Sequence, residues 1–159
     1  MRLTLHTDLA FRTLMHLGLR PGRRVQTEEI AAAWRISGHH LDKVVQRLAA
    51  AGLVETRRGR GGGITLARPP AAIGLGEVVR CTEDDLALVA CFGANGDPCG
   101  DTDGARCVLS GACRLQQALG RAMAAFLGVL DDMTLADLLD APAREAALAR
   151  LGLNAGEIG

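Results

Sequence analysis

The residues of this chain best equipped for chemistry are five cysteines, at positions 81, 91, 99, 107 and 113. An odd number in one short stretch is unlike a secreted disulfide framework. The N-terminus MRLTLHTDLAFRTLMHL also sets charge inside its apolar pattern, unlike a secretory signal. Clustered thiols then point to a metal site, an iron–sulfur site or a redox switch. No short CxxC pair of the structural-zinc kind is present. A cysteine nucleophile would need a nearby histidine, and the four histidines (6, 16, 39 and 40) all lie outside residues 81–113. The run RGRGGG (58–63) lacks the Lys-Ser/Thr of a phosphate-cradling loop, and GLGEVV is not followed by a dinucleotide-fold pattern. These residues do not predict an enzyme.

A second chemically capable set is basic. The chain is formally neutral, with 18 basic and 18 acidic residues, but they are segregated. Residues 1–70 hold 12 basic and 5 acidic residues, a net charge of +7, and the remainder carries −7. Segregation of this kind suggests a basic surface for a polyanion, with chance clustering of solvated charge as the bland alternative.

The elements that would position both sets can be read from spacing. At 159 residues the chain suits one domain, or one with an appended arm. Hydrophobic residues make up 48% but aromatic ones only 3%, so aliphatic side chains and Ala must fill the core. No apolar stretch approaches the ~20 residues of a membrane span, and a soluble, cytoplasmic protein is expected. Thr7 is expected to cap a helix from about Asp8 to Leu19. RPGRR (20–24) breaks it. EEIAAAW (28–34) follows Thr27 as a short helix. Ser37 is positioned to cap HHLDKVVQRLAAA (39–51), whose Leu41, Val44, Val45 and Leu48 share a face. Two such helices joined by a tight turn read as helix-turn-helix. LVETRR (53–58) and GITLARP (63–69) are strand candidates around the Gly/Arg tip, an order that describes a wing rather than an ordinary surface hairpin.

The fold class expected is mainly α: a winged helix-turn-helix with a small β-hairpin wing, a long dimerisation helix and a cysteine-bearing loop. Residues 1–70 form the DNA-binding unit. Residues 71–112 hold a linker helix and the cysteine-rich loop. Residues 113–140 carry the long helix CRLQQALGRAMAAFLGVLDDM and a short terminal turn, and residues 141–159 are a flexible or partly helical tail. Leu115, Leu119, Ala122, Met123, Phe126, Leu127 and Leu130 supply the long helix with an apolar stripe that suits a partner helix, or equally packing within the chain. Candidate contacts to bases or phosphates are Ser37, His39, His40 and Lys43 near the start of the second helix of the pair, and Arg57, Arg58 and Arg60 on the wing.

Taken in order, MRLTLHTDLAFRTLMHL, SGHHLDKVVQRLAAAGLVETRRGRGGG, GEVVRCTEDDLALVACF and CVLSGACRLQQAL resemble the nitric-oxide-sensing NsrR-type repressors, within the IscR-like superfamily of winged-helix iron–sulfur regulators. The resemblance covers roughly residues 1–140. It implies a homodimer that binds double-stranded DNA at a palindromic promoter site, with nitric oxide as effector and no membrane partner. It also implies an iron–sulfur cluster, 4Fe–4S, with 2Fe–2S as the alternative. By the family's pattern Cys91, Cys107 and Cys113 are the thiolate ligands, and Asp8 of the partner subunit supplies a carboxylate. Thiolates are the usual ligands of such clusters. Cys113 would stand at a helix start, which favours the negative charge of a ligated cluster.

The chain departs from the family in the fifteen residues between Cys91 and Cys107, a longer spacing than expected. That stretch includes Cys99, a further candidate ligand that is otherwise a resolving or idle thiol, since the acidic setting DPCGD disfavours a thiolate. Cys81 is expected to pack beside its helix as a small hydrophobe. Gln116 stands where the 2Fe–2S branch uses a histidine, which leans the reading toward 4Fe–4S. A cluster-free thiol-redox regulator of the same superfamily, a winged-helix adaptor whose acidic half binds another protein and, less favoured, a thiol-redox enzyme are further alternatives.

Overall fold

The computed structural model describes residues 2–97, 109 and 112–153; Cys99 and Cys107 lie outside them. Helix α1 (Leu5–Leu19) begins before its expected start, and Thr7 is buried inside it rather than capping it. The reason lies far away in sequence. The Glu83 carboxylate accepts from the Thr4 amide at 2.7 Å, from the Thr4 hydroxyl at 3.1 Å and from the Thr7 hydroxyl. It thereby satisfies donors at a helix start and places negative charge against the positive end of the helix dipole.

Helix α2 (Thr27–Trp34) carries Glu28 and Glu29 in its first turn, and α3 (Gly38–Ala50) follows after Arg35–Ser37. Arg35 takes the left-handed conformation, φ 53°, and so ends α2 sharply enough for α3 to cross it. Ser37 holds the N-cap position of α3, but its side chain makes no capping hydrogen bond. Strands β1 (Val54–Arg57) and β2 (Gly63–Leu66) pair antiparallel, Val54 opposite Leu66 and Arg57 opposite Gly63. Val25 adds a two-bond bridge to Ile64, 2.9 and 2.8 Å, which docks the hairpin onto the segment before α2.

Beyond a short 3-10 turn at Pro70–Ala72, α4 (Leu75–Thr82) packs on α1 and α3 and leads into the cysteine-bearing segment. Helix α5 (Arg114–Asp131) lies against α4, tied by a bidentate pair between Arg80 and Asp131 at 2.7 and 2.6 Å. A second 3-10 turn, Asp137–Leu139, follows, with the Asp137 carboxylate accepting from the Thr134 amide and hydroxyl. The segment after it forms a full helix, α6 (Ala141–Leu151), capped by the Asp140 side chain, which accepts from the Ala143 amide at 3.0 Å.

The main core joins Leu9, Leu14 and Leu17 of α1 to Ile30, to Leu41, Val44 and Leu48 of α3, and to Leu53, Ile64 and Ile73. Each fully buried aliphatic side chain contributes about 1.5–3 kcal/mol relative to exposure. That packing seats α3 with its polar face outward. A smaller cluster of Val79, Leu86 and Met123 holds α4, the following segment and α5 together. Among the described residues no helix is long and apolar enough to cross a membrane.

Candidate nucleic-acid interface and cysteine site

Because the core takes one face of α3, the other is delivered to solvent. Ser37, His39, His40 and Lys43 are all exposed. The His39 and His40 rings meet edge to face, 6.0 Å between centroids, so the two imidazoles are presented together. Gln46 is exposed one turn beyond Lys43 and continues the row His39, Lys43, Gln46 at helical spacing. Gln46 is not among the contacts expected from sequence, although the i+3 and i+4 steps from Lys43 and Asp42 place it on that face.

The hairpin carries Arg57, Arg58 and Arg60 into solvent. Its glycines are required by geometry. A side chain at Gly62 would stand 2.2 Å from the Arg57 carbonyl oxygen, and one at Gly63 would meet the Val25 carbonyl at 2.8 Å from a backbone of φ 133°. The Gln26 amide donates to the Gly62 carbonyl at 2.6 Å and clips the tip to the start of α2. The wing tip is thus tied to the helix pair, and the cationic side chains of both are exposed. A clip of this kind, formed across 36 residues, has no local sequence signal.

The cysteine site forms around the start of α5. Cys81, Cys91 and Cys113 are free thiols, each half-buried. Cys113 is the N-cap residue of α5, where its sulfur accepts from the Gln116 amide at 3.4 Å. The Gln116 side chain donates in turn to the Cys91 carbonyl at 3.2 Å. One residue thus brings the Cys91 backbone to the first turn of the helix that Cys113 opens. Cys81 faces elsewhere. Its thiol donates to the Val78 carbonyl at 3.2 Å within α4, and burial, aided by Glu77, pushes its pKa up.

Asp8 is exposed on α1 and paired with Arg12 at 2.9 Å, one helical turn on. The Arg12 guanidinium also lies over the Trp34 ring, 5.8 Å from its centroid. Among the described residues no three of His, Cys, Asp and Glu within the chain come together as a metal-holding group. The donors that are described still suit an iron–sulfur cluster. The Cys113 sulfur stands at a helix N-terminus, the backbone of Cys91 is held to the first turn of the same helix, both thiols are half-buried, and the Asp8 carboxylate is exposed.

Comparison with known proteins matches residues 3–141 to the family described as Rrf2, iron-dependent transcriptional regulator. The chain is 50% identical over 141 residues to the HTH-type transcriptional regulator NsrR of Geobacillus kaustophilus, covering 88% of this chain and 90% of that protein. It is 42% identical over 144 residues to the HTH-type transcriptional repressor NsrR of Streptomyces coelicolor, covering 89% and 90%. Among solved structures, T. potens IscR superposes with a TM-score of 0.62 at 26% identity, over 92% of this chain and 90% of that one.

Proposed function

Because this chain belongs to the Rrf2 family of transcriptional regulators, we propose that it is an NsrR-type homodimeric repressor whose operator affinity is set by a 4Fe–4S cluster that senses nitric oxide. The observation that carries the reading is the Gln116 bridge between Cys91 and Cys113. It ties the backbone of Cys91 to the first turn of α5, which Cys113 opens. It also commits the Gln116 side chain to a backbone carbonyl, at the position where the 2Fe–2S branch would need a histidine ligand. Cys91, Cys113 and Cys107 would hold the cluster, with Asp8 of the partner subunit as a fourth, oxygen ligand; Cys99 is the spare thiol of the same loop. A bound cluster supplies an iron that reacts with nitric oxide, and an exchangeable carboxylate ligand would leave that iron accessible.

The rest belongs to the chain's own residues. Ser37, His39, His40 and Lys43 would enter the major groove and Arg57, Arg58 and Arg60 would track the neighbouring backbone. Helix α5 supports the dimer, by a face the sequence reading did not separate. Met123 is buried and Phe126, Leu127 and Leu130 pack toward α4. Leu115, Ala118, Ala122, Ala125 and Val129 are left exposed at alternating steps of three and four, the spacing of a helix–helix seam. Their small side chains would let a partner helix approach closely.

The deciding experiment is native mass measurement of anaerobically purified protein, with iron and sulfide quantified on the same sample. A dimer with one 4Fe–4S cluster per chain, which releases promoter DNA when nitric oxide is added, is the expected result. A two-iron cluster would move the protein to the IscR-like branch. A metal-free dimer whose DNA binding follows oxidation would make the cysteines a disulfide switch instead.

A further inference from the structure

Three helices meet at the residues where α4 ends. The Thr82 hydroxyl shares a buried 2.7 Å bond with the Thr7 hydroxyl of α1. Next in sequence, Glu83 caps the start of α1. Arg47 of α3 completes the joint, donating from Nη1 to the Thr82 carbonyl at 3.0 Å and from Nη2 to Asp84 at 2.8 Å.

The two Arg47 bonds differ in weight. The Asp84 side chain is 82% exposed, so its pairing is screened by water. The Thr82 carbonyl belongs to the last turn of α4, where helix carbonyls lack partners in their own helix, and its bond to Arg47 is partly buried. Elsewhere α3 is held by Leu41, Val44, Val45 and Leu48. The hydrophobic driving force behind such packing has no direction of its own. A planar guanidinium bound at two points does fix direction. Arg47 adjoins Gln46 and lies one turn beyond Lys43, on the helix that presents the exposed row. From Asp84 the chain runs seven residues to Cys91.

We propose that Arg47 is a positioning residue: through the Thr82 carbonyl it seats α3 for DNA, and it passes to α3 any displacement of the segment that carries Cys91. The second half of this rests on the cysteine-based reading above; the first does not.

The test uses Arg47→Met, which keeps an unbranched stem without the charge, and Arg47→Lys, which can still reach the carbonyl. The probe is a duplex of about 30 base pairs, long enough for two half-sites, selected by the wild-type protein from a random library. Affinity is measured across a salt series, for loaded and metal-free full-length protein. In the form that binds more tightly, Arg47→Met should weaken binding roughly tenfold, as loss of a charge-assisted hydrogen bond does. The slope of log affinity against log salt should not change, and Arg47→Lys should recover most of the loss. The ratio of loaded to metal-free affinity should collapse toward one in Arg47→Met.

Unchanged affinity overturns the proposal. So does a slope reduced by about one, which would mean that Arg47 touches a phosphate directly. A preserved ratio overturns the relay alone. If Arg47→Met loses its helical circular dichroism, Arg47→Gln is measured in its place with the same expectations. A wild-type ratio of one overturns the cluster reading and the relay together, while the affinity and slope still decide the seating of α3.

Discussion

His16 is fully buried between α1 and α2, with neither ring nitrogen hydrogen-bonded and the Glu29 carboxylate 3.7 Å from Nε2. Burial lowers its pKa from 6.5; Glu29 opposes the shift, and Arg20 and Arg23 add to it. The unfolded chain therefore takes up this proton more readily than the folded one. Stability from a neutral His16 is present above pH 6.5 and is lost as pH falls below that value toward the lowered folded pKa. Urea unfolding at pH 7.5 and 5.5 should show the midpoint fall on acidification, and His16→Met should reduce that fall. Equal falls in both proteins would assign the acid sensitivity to other groups. Asp8 gives the opposite case. Its exposed ion pair with Arg12, one turn away on the same helix, is worth only a few tenths of a kcal/mol. Asp8→Ala should keep the wild-type melting temperature yet change the nitric oxide dose that releases DNA. An unaltered dose would remove Asp8 from the sensing site.

At the scale of elements, the apolar stripe of α5 suited either a partner helix or packing within the chain, and much of it packs within the chain. Its periodicity predicts an amphipathic helix, and the helix is there from Arg114 to Asp131. Met123, Phe126, Leu127 and Leu130 of the stripe turn inward against α4, while Leu115 and Ala122 of the stripe, with Ala118, Ala125 and Val129, form an exposed seam. Hydrophobicity ranks alanine below leucine, so a seam built for close approach is overshadowed by the neighbouring stripe. Ala122→Glu should convert the dimer to a monomer without loss of helix content, read by native mass and circular dichroism. A dimer that survives would place the interface elsewhere. The wing was legible because its signals are local: two short strand patterns around RGRGGG. Replacing Arg58 and Arg60 together with Ala should lower the salt slope of DNA binding by up to about two, one for each phosphate left without its arginine. An unchanged slope would mean these arginines are solvated in the complex.

At the scale of the whole molecule, the predicted behaviour depends on joining two halves of opposite charge. The basic half is the one proposed to read DNA, and the acidic half bears the thiols. They are connected through α4, whose end touches both α1 and α3. Cys107→Ala should abolish iron and sulfide uptake while the metal-free chain stays folded; a full complement of both would refute Cys107 as a ligand.

Composition, charge segregation and local periodicity were sufficient for the helix-turn-helix, the wing, the long helix and the candidate cysteines. Each of these depends on neighbours within a few turns: helical spacing, turn glycines, a chain break at Pro-Gly. Packing decided the rest. The start of α1 is set by Glu83, 79 residues from Thr4. The meeting of Cys91 and Cys113 depends on a side chain 25 residues from Cys91. The seat of α3 depends on a carbonyl 35 residues from Arg47. Such bonds form between elements that packing has already brought together, and no local pattern of residues announces which distant partner will complete them.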